Sequence, residues 1–573
     1  MRIARLMWAM FFFATSSSFS AERPNVLLVI TDDQGNGDLG CHGNPVIRTP
    51  NLDAFAKQSV ELTRFHVCPV CSPTRSSLLT GRYNYRTGVV DTYIGRSMMH
   101  ADEVTLAEML HDAGYRTGIF GKWHLGDNYP LRPQDQGFDE VLVNGGGGIA
   151  QPADPPGNSY FDPLLQRNGK WVKHKGYCSD IFTTAAMDFI GTKSDKPFFA
   201  YVAYNCPHDP LQVADDLVAP YKKMDLSPKA FPKTGHPLGQ FQPAESMARV
   251  YAMVENIDSN LGKLFKFLDE RKLSDNTIVI FMTDNGPAAV RYNAGLRGRK
   301  GQVYDGGIRV PFFVRWPNQL KPGRFEKPAA HIDVTPTLAA ACGVAPSPQL
   351  KIDGRNLLPH LTGRSKDWSD RTLFFQWHRG DEPQVGRAFA ARGPRWKLVQ
   401  AAGTGPQAQE RQWKNELFDM ESDPFELKDV AAEHPQVVAD LRKQYEEWFR
   451  DVAATRKFAP PRIHLGTKHE NPVILTRQDW RGPRAGWALD DLGYWEVHVA
   501  ETKKYTVRLK FAPRVDAGSA VLRIGKLEKS VPIAARAVEA QFDNVDLPEG
   551  PGRLEAVIRI GQRDYGVKYV EVE

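Results

Sequence analysis

The feature that most constrains the fold is a repeated pattern in which a strand-like apolar run ends directly in polar residues. Residues 25–30 (N-V-L-L-V-I) form a continuous apolar run, which predicts a strand covered on both faces. This run leads into Asp32 and Asp33, and a second run at residues 277–282 leads into Asp284. Helical patterns lie between such runs. The alternation predicts an open α/β sheet whose functional residues gather where the strands end.

Carboxylates at these strand ends indicate a cation site. Asp32 and Asp33 are adjacent acids that repel each other unless a cation lies between them, although one of them could instead cap the following helix. Asp284 and Asn285 follow the other strand and supply further oxygen ligands. Because the set contains no Cys or His, it favours Ca²⁺ or Mg²⁺ over Zn²⁺.

Basic residues follow further strand-like runs. Lys122 and His124 come just after one run, His208 follows another, and Lys300 lies in a basic, glycine-rich loop. Taken singly, each of them would be an ordinary surface residue or part of a flexible turn. Their shared position beyond strand ends makes them candidate catalytic residues.

Residues 69–81 read P-V-C-S-P-T-R-S-S-L-L-T-G and contain the motif C-x-P-x-R. Pro73 suits the first turn of a helix, because its missing N–H would be unpaired there in any case. Cys71 then lies just ahead of a helix N-terminus, which favours an anion, and Arg75 adds a fixed positive charge. A buried cysteine before an ordinary helix is the alternative. Cys68 and Cys71 also imitate a metal-binding or redox pair, but no second C-x-x-C accompanies them.

The whole stretch closely resembles the signature of the type I (formylglycine-dependent) sulfatases of the alkaline phosphatase superfamily, and the resemblance extends over roughly residues 23–430. It implies that the formylglycine-generating enzyme oxidises Cys71 to formylglycine, whose hydrate is the nucleophile. It also implies an α/β fold in which helices sandwich a mixed central sheet. The implied metal is one Ca²⁺ per chain, and its ligands would be Asp32, Asp33, the modified Cys71, Asp284 and Asn285.

The resemblance also implies a role for each basic residue. Arg75 would hold the formylglycine, and Lys122 and His124 would lie beside its hydrate. His208, assisted by Lys300, would protonate the leaving oxygen. His124 would then accept a proton from the remaining hydroxyl, a task that suits an imidazole whose pKa lies near the working pH.

Length and composition predict several domains. The chain has 573 residues, of which 42% are hydrophobic and 24% charged, and this length predicts two to four domains. Near Arg371 the strand–helix alternation gives way to short strand-like segments, and a Pro-rich break follows Arg456. The predicted parts are a signal peptide (1–20), a catalytic α/β domain (21–370), a small α+β C-terminal subdomain (371–456) and a β-sandwich (457–573). The sandwich is predicted either to bind carbohydrate or to be purely structural.

The N-terminal segment is typical of a leader for export. Arg2 and Arg5 precede an apolar core at residues 6–14 and a small-x-small sequence at residues 18–20. Because the apolar run is too short to span a bilayer, a cleaved signal peptide is favoured over an uncleaved anchor. We therefore expect a periplasmic or secreted protein with no stable membrane anchor. Its six cysteines are too few for a disulfide scaffold.

The net charge of +6 is small and unclustered, which argues against a nucleic-acid partner and is compatible with an acidic substrate. We therefore predict a secreted, calcium-dependent sulfatase that acts on sulfate monoesters, with a sulfated carbohydrate or an aryl sulfate as substrate. The alternatives are a phosphomonoesterase or phosphodiesterase of the same superfold and a catalytically inactive glycan-binding protein. The C-terminal subdomain could reach the substrate's sugar through Trp377, His378, Arg379 and Arg387, but we expect these four residues to be solvated surface.

Overall fold

A computed structural model describes residues 23–405 and 413–573, so the predicted signal peptide at residues 1–20 lies outside the described residues. None of the helices in these two ranges combines the length and the apolar character needed to cross a bilayer. The strands of the first part are β1 (Asn25–Thr31), β2 (Val60–Leu62), β3 (Phe65–His66), β4 (Arg116–Gly121), β5 (Glu140–Val143), β6 (Leu164–Arg167), β7 (Lys170–Lys173), β8 (Phe198–Ala203), β9 (Thr277–Thr283), β10 (Phe312–Arg315), β11 (Gly323–Phe325) and β12 (Ala329–Ala330).

Ten of these strands form one mixed sheet, in the order β11-β2-β10-β9-β1-β8-β4-β5-β6-β7. The central strands β9, β1, β8, β4 and β5 run parallel, whereas β10 and β6 are antiparallel to their neighbours. The small β3–β12 pair lies outside this sheet. The mixed central sheet implied by the resemblance is therefore confirmed.

Helices cover both faces of the sheet. Along β1, Val26, Leu28 and Ile30 enter one hydrophobic core, while Leu27 and Val29 enter the other, so the apolar run is buried on both sides as predicted. The helices of this part are α1 (Pro50–Lys57), α2 (Cys71–Thr80), α3 (Asn84–Thr87), α4 (Leu106–Asp112), α5 (Cys178–Gly191), α6 (Asp215–Tyr221), α7 (Ala244–Glu270), α8 (Asp305–Ile308), α9 (Val334–Ala341) and α10 (Leu358–Leu361).

A second, four-stranded antiparallel sheet follows, with one long helix packed on it. It consists of β13 (Leu373–Gln376), β14 (Phe389–Arg392), β15 (Trp396–Gln400), β16 (Glu416–Asp419) and the helix α11 (Pro435–Ala454). Lys397 of β15 is buried, and its Nζ lies 2.6 Å from Asp305 Oδ1 and 2.7 Å from Glu426 Oε1. This buried group joins the small sheet to helix α8 of the main part.

Replacing Lys397 by methionine should destabilise the protein strongly. The substitution leaves Asp305 and Glu426 buried without their cation, and breaking a buried ion pair in this way costs about 3–5 kcal/mol. Lys414→Met is the matched control, because Lys414 pairs with Asp429 while its side chain is 78% exposed, and an exposed pair contributes at most about 1 kcal/mol. Urea unfolding of both variants followed by tryptophan fluorescence measures the difference, and equal losses would contradict the role of the buried group.

The last part of the chain consists of two sheets packed face to face around one core. One sheet has the order β17-β19-β24-β21-β22 with β25 paired to β24, and the other has the order β18-β26-β20-β23. The strands are β17 (Ile463–Leu465), β18 (Val473–Thr476), β19 (Tyr494–Val499), β20 (Lys504–Lys510), β21 (Gly518–Ile524), β22 (Leu527–Ile533), β23 (Glu539–Asp546), β24 (Gly550–Ile560), β25 (Arg563–Gly566) and β26 (Tyr569–Val572).

Candidate active site

Four neighbouring parallel strands deliver polar residues to one edge of the main sheet. Thr31 at the end of β1 is in register with Thr283 at the end of β9, so Asp32 and Asp284 leave the sheet side by side. The backbone N–H of Asp284 donates to the carbonyl oxygen of Thr31 at 3.1 Å. On the other side of β1, strand β8 leads to His208, and its neighbour β4 leads to Lys122. The sheet topology therefore converts distant sequence positions into neighbours.

Helix α2 brings Cys71 to the same edge. Cys71 is the first residue of this helix, and the preceding Val70 is extended. The Pro69 carbonyl accepts a hydrogen bond at 2.8 Å from the N–H of Gly301, which ties the cysteine loop to the loop that carries Lys300. Every residue of the helix is buried, including Arg75. Cys71 is thus held in the interior rather than on a mobile surface loop.

Three acid–base pairs surround this helix N-terminus, and all but Lys300 of their side chains are buried. Lys122 Nζ lies 2.6 Å from Asp32 Oδ2, and Lys300 Nζ lies 2.6 Å from Asp33 Oδ1. Arg75 donates to Asp284 Oδ2 from Nη2 at 2.8 Å and also donates from Nη1 to the Lys122 carbonyl at 3.2 Å.

These pairings involve six side chains from five separate parts of the chain. Burial by itself would raise the pKa of Asp32, but the charge of Lys122 and those of the other basic groups around it together outweigh this effect, and the pKa lies below its usual range.

The donor set fits a hard cation. Ligand atoms of Asp32, Cys71 and Asp284 all lie within 4.8 Å of one another, and so do those of Asp32, Asp33 and His208. Burial, followed by the negative charge of Asp32, raises the pKa of Asp284 to about 7, which is a repulsion that a cation would relieve.

Two orphaned oxygens support the same conclusion. Asp32 Oδ1 and Asn285 Oδ1 are buried and have no hydrogen-bond partner among the described residues. A buried oxygen without a partner is costly, and a Ca²⁺ or Mg²⁺ ion would satisfy it. Asn285 Nδ2 donates to Asp33 Oδ1 at 2.8 Å, so the amide nitrogen is already used and its oxygen remains available.

Cys71 as a free thiol is a poor nucleophile here. Burial raises the pKa of its thiol, despite the opposing charges of Lys122 and Lys300, so the protonated form dominates at neutral pH. No disulfide involves any of the six cysteines, all of which lie within the described ranges. An unmodified Cys71 is therefore neither a disulfide partner nor a thiolate.

The hydrogen bonds of the two histidines fix which ring nitrogens carry protons. His124 Nε2 lies 2.7 Å from the carbonyl oxygen of Thr92, and a carbonyl only accepts, so this nitrogen carries the hydrogen. His124 Nδ1 is buried without a partner among the residues described. Burial, with a contribution from Lys122, lowers the pKa of His124 well below its usual value. His124 is thus neutral, with a free lone pair on Nδ1.

His208 lies at the more open side of the cluster. Its Nδ1 is 2.7 Å from the Asp209 carbonyl, which assigns a hydrogen to Nδ1, and its Nε2 is 3.7 Å from Asp33 Oδ2. The side chains of His208 and Lys300 are 14% and 20% exposed, whereas those of Arg75 and Lys122 are fully buried. A ligand would therefore reach His208 and Lys300 first.

Two findings go beyond the sequence prediction. Arg291 is buried and donates from Nη2 both to Asp38 Oδ2 at 2.6 Å and to the Asp33 carbonyl at 2.8 Å, so it supports the acidic turn. No motif marks it in the sequence. The expectation that Trp377, His378 and Arg387 are solvated surface is wrong, since all three are buried. Trp377 Nε1 donates to the buried Asp91 at 2.9 Å, a contact between distant segments that no local pattern reveals.

Comparison with known proteins identifies the family. The sulfatase family model matches residues 24–344, and the model of the N-sulphoglucosamine sulphohydrolase C-terminal region matches residues 299–451. Arylsulfatase A of Homo sapiens is 31% identical over 506 residues, which cover 79% of this chain and 92% of the relative. The N-acetylgalactosamine-6-O-sulfatase of Bacteroides thetaiotaomicron is 28% identical over 510 residues, or 74% of this chain and 93% of the relative.

Solved structures agree with this assignment. The structure of Ps i-CgsB has a TM-score of 0.64 and 28% identity, covering 78% of this chain and 95% of the other. The phosphonate monoester hydrolase of Agrobacterium radiobacter, with a TM-score of 0.54 and 21% identity over 76% of this chain and 96% of its own, shares the fold alone. The chain therefore belongs to the type I sulfatases of the alkaline phosphatase superfamily and is a sulfuric ester hydrolase.

Proposed function

We propose that this protein is an exported, calcium-dependent sulfatase that removes sulfate from a sulfated carbohydrate and uses formylglycine formed from Cys71. The observation that carries the proposal is the convergence of Cys71 with three carboxylates and three basic side chains at one sheet edge. The carbohydrate substrate is favoured by the similarity to an N-acetylgalactosamine-6-O-sulfatase. Export rests on the leader-like sequence at residues 1–20.

The charges of the site suit a sulfate ester once a divalent cation is bound. Asp32, Asp33 and Asp284 are balanced by Arg75, Lys122 and Lys300, so a divalent cation makes the site positive and therefore attractive to an anion. A bound calcium ion would withdraw electron density from the sulfuryl oxygens. A formylglycine hydrate at residue 71 would supply a nucleophilic hydroxyl. Asp32, Asp33, Asp284 and Asn285 are the side chains that would hold the ion.

The chain's own residues provide the proton transfers. His208 lies at the more open side of the site, where an imidazolium can donate a proton to the departing alcohol oxygen. Lys300 places a positive charge next to it through the shared partner Asp33. His124 keeps an unprotonated Nδ1, which is the state required to accept a proton from a hydroxyl at residue 71. Arg75 and Lys122 hold their positive charges in fully buried positions and keep them oriented.

Mass analysis combined with two turnover assays tests the proposal. Trypsin should release the peptide 65–75, whose mass shows whether residue 71 is a thiol or an aldehyde. We expect the aldehyde together with turnover of 4-nitrophenyl sulfate. An intact thiol with turnover of 4-nitrophenyl phosphate would instead support a phosphoesterase, and the absence of both activities would support a glycan-binding protein. A panel of defined sulfated oligosaccharides then identifies the substrate.

The substitution His208→Gln should slow hydrolysis in a way that depends on the leaving group. Loss of a general acid lowers the rate about 10²–10⁴-fold for a sugar sulfate, whose alcohol is a poor leaving group. The loss should be much smaller for 4-nitrophenyl sulfate, because nitrophenolate departs without a proton. Sulfate release measured by ion chromatography gives both rates, with His111→Gln as a surface control. Equal losses on the two substrates would argue against proton donation by His208.

A further inference from the structure

The C-terminal sandwich is docked directly on the loops of the catalytic part. The Glu470 side chain accepts from the N–H of Tyr129 at 2.7 Å, and the Gly95 carbonyl accepts from Arg481 at 2.7 Å. Ile94 and Leu131 of the catalytic part enter the hydrophobic core of the sandwich. This part of the chain lies beyond residue 451, where the matches to the two family models end. Its contacts with the site are therefore not predicted by the family resemblance.

One residue of the sandwich reaches the candidate site. Gln478 follows β18 and is 1% exposed, and its Nε2 donates to the Thr92 carbonyl at 2.9 Å and to Ser97 Oγ at 3.2 Å. The same nitrogen lies 3.5 Å from His124 Nε2. Because the Thr92 carbonyl accepts at 2.7 Å from His124 Nε2 as well, one oxygen receives two donors. The amide orientation of Gln478 follows from this contact, since its oxygen would be repelled by the carbonyl.

The glycine loop at residues 145–148 lies against both His124 and Gln478. A Cβ atom at Gly147 would lie 2.7 Å from His124 Nε2, and a Cβ atom at Gly146 would lie 3.4 Å from Gln478 Cγ. The glycine loop therefore packs closely against both side chains. Although residues 145–148 have the composition of a flexible loop, all four are buried here.

We propose that Gln478 is a positioning residue for His124 and that the sandwich thereby completes the active site. Gln478 holds the Thr92 carbonyl in place, and that carbonyl holds the proton of His124 on Nε2, leaving Nδ1 free to act as a base. Without Gln478, the Thr92 carbonyl would be free to move. The His124 imidazole could then rotate or present its N–H to the reacting hydroxyl. The inference rests on the proposed role of His124 and assigns to the appended sandwich a part in the chemistry.

The variant Gln478→Leu tests this role, because leucine fills a similar volume and donates no hydrogen bond. We expect kcat for 4-nitrophenyl sulfate to fall about 10–100-fold, as for other residues that orient a functional histidine, with KM changed by less than about threefold. In the His124→Ala background, Gln478→Leu should have no further effect, because a residue that acts through His124 is coupled to it. Additive losses in the double variant would overturn the proposal.

A matched control and a structural readout separate this role from docking. Glu470→Gln weakens the same interface at Tyr129, away from His124, and should leave kcat within about twofold even if the melting temperature falls. A crystal structure of Gln478→Leu should show the His124 imidazole turned or moved away from the Thr92 carbonyl. An imidazole in its original position in this variant would overturn the inference, even if the variant were inactive. Wild-type protein that hydrolyses no sulfate ester would instead count against the proposed function.

Discussion

Replacing Cys71 by serine should abolish sulfate release, with a loss of at least about 10⁴-fold in kcat. The serine variant keeps a hydroxyl in nearly the same place, but it lacks the second hydroxyl of an aldehyde hydrate and has the high pKa of an ordinary alcohol. Lys122 and Lys300 are held as ion pairs with Asp32 and Asp33, and His124 would find no second hydroxyl on a sulfated serine from which to accept a proton. The assay is release of 4-nitrophenol and of inorganic sulfate at saturating substrate.

Cys68→Ser is the matched control for this experiment. Cys68 is also buried and lies three residues earlier, but its Sγ contacts His331 at 3.3 Å instead of the acidic cluster. This variant should remain active, and its residue 71 should still carry the aldehyde mass. If Cys71→Ser kept full activity, the proposed nucleophile would be wrong, whatever the mass of the wild-type peptide.

Removing the divalent cation should reduce turnover by a similarly large factor. Without it, Asp32, Asp33 and Asp284 repel one another, and the orphaned oxygens of Asp32 and Asn285 lose their proposed partner. Dialysis against a chelator should remove activity, and added Ca²⁺ should restore it. The ion should also raise the melting temperature, because a ligand that binds only the folded state at 100 times its Kd adds about 2.7 kcal/mol of stability.

Carboxamide variants locate the cation. Asp284→Asn should shift the Ca²⁺ concentration needed for half-maximal activity upward by at least about tenfold, because one charged ligand is lost. Asp258→Asn is the control, since Asp258 is a buried acid that accepts from the N–H of Leu52 at 2.7 Å, away from the cluster. It should lower stability and leave the Ca²⁺ dependence unchanged. An equal shift in both variants, or full activity after chelation, would contradict the assignment of the metal site.

The chain pattern predicted the α/β fold, while the roles of the candidate residues came from the resemblance to the type I sulfatases. The apolar run before Asp32 predicts a buried strand, and this strand is observed as β1 in the centre of the sheet. Parallel strands bring their carboxyl ends to one edge, so the pattern predicts that Asp32 and Asp284 lie at that edge, and the pairing of β1 with β9 places them side by side. Pro73 in the first turn of α2 likewise places Cys71 at a helix N-terminus.

Only the tertiary structure determined which residues support these groups. Gln478 and His124 are 354 positions apart, and the contact between them depends on how the sandwich docks on the catalytic part. The hydrogen bonds from Arg291 to the Asp33 carbonyl and from Trp377 to Asp91 likewise join residues that are far apart in the sequence. Periodicity reports which face of a strand or helix is buried, but it carries no information about which polar side chain of a distant segment meets that face. The packing of the folded chain determines these contacts, because a buried donor needs an acceptor and only the tertiary structure brings the two within hydrogen-bond distance.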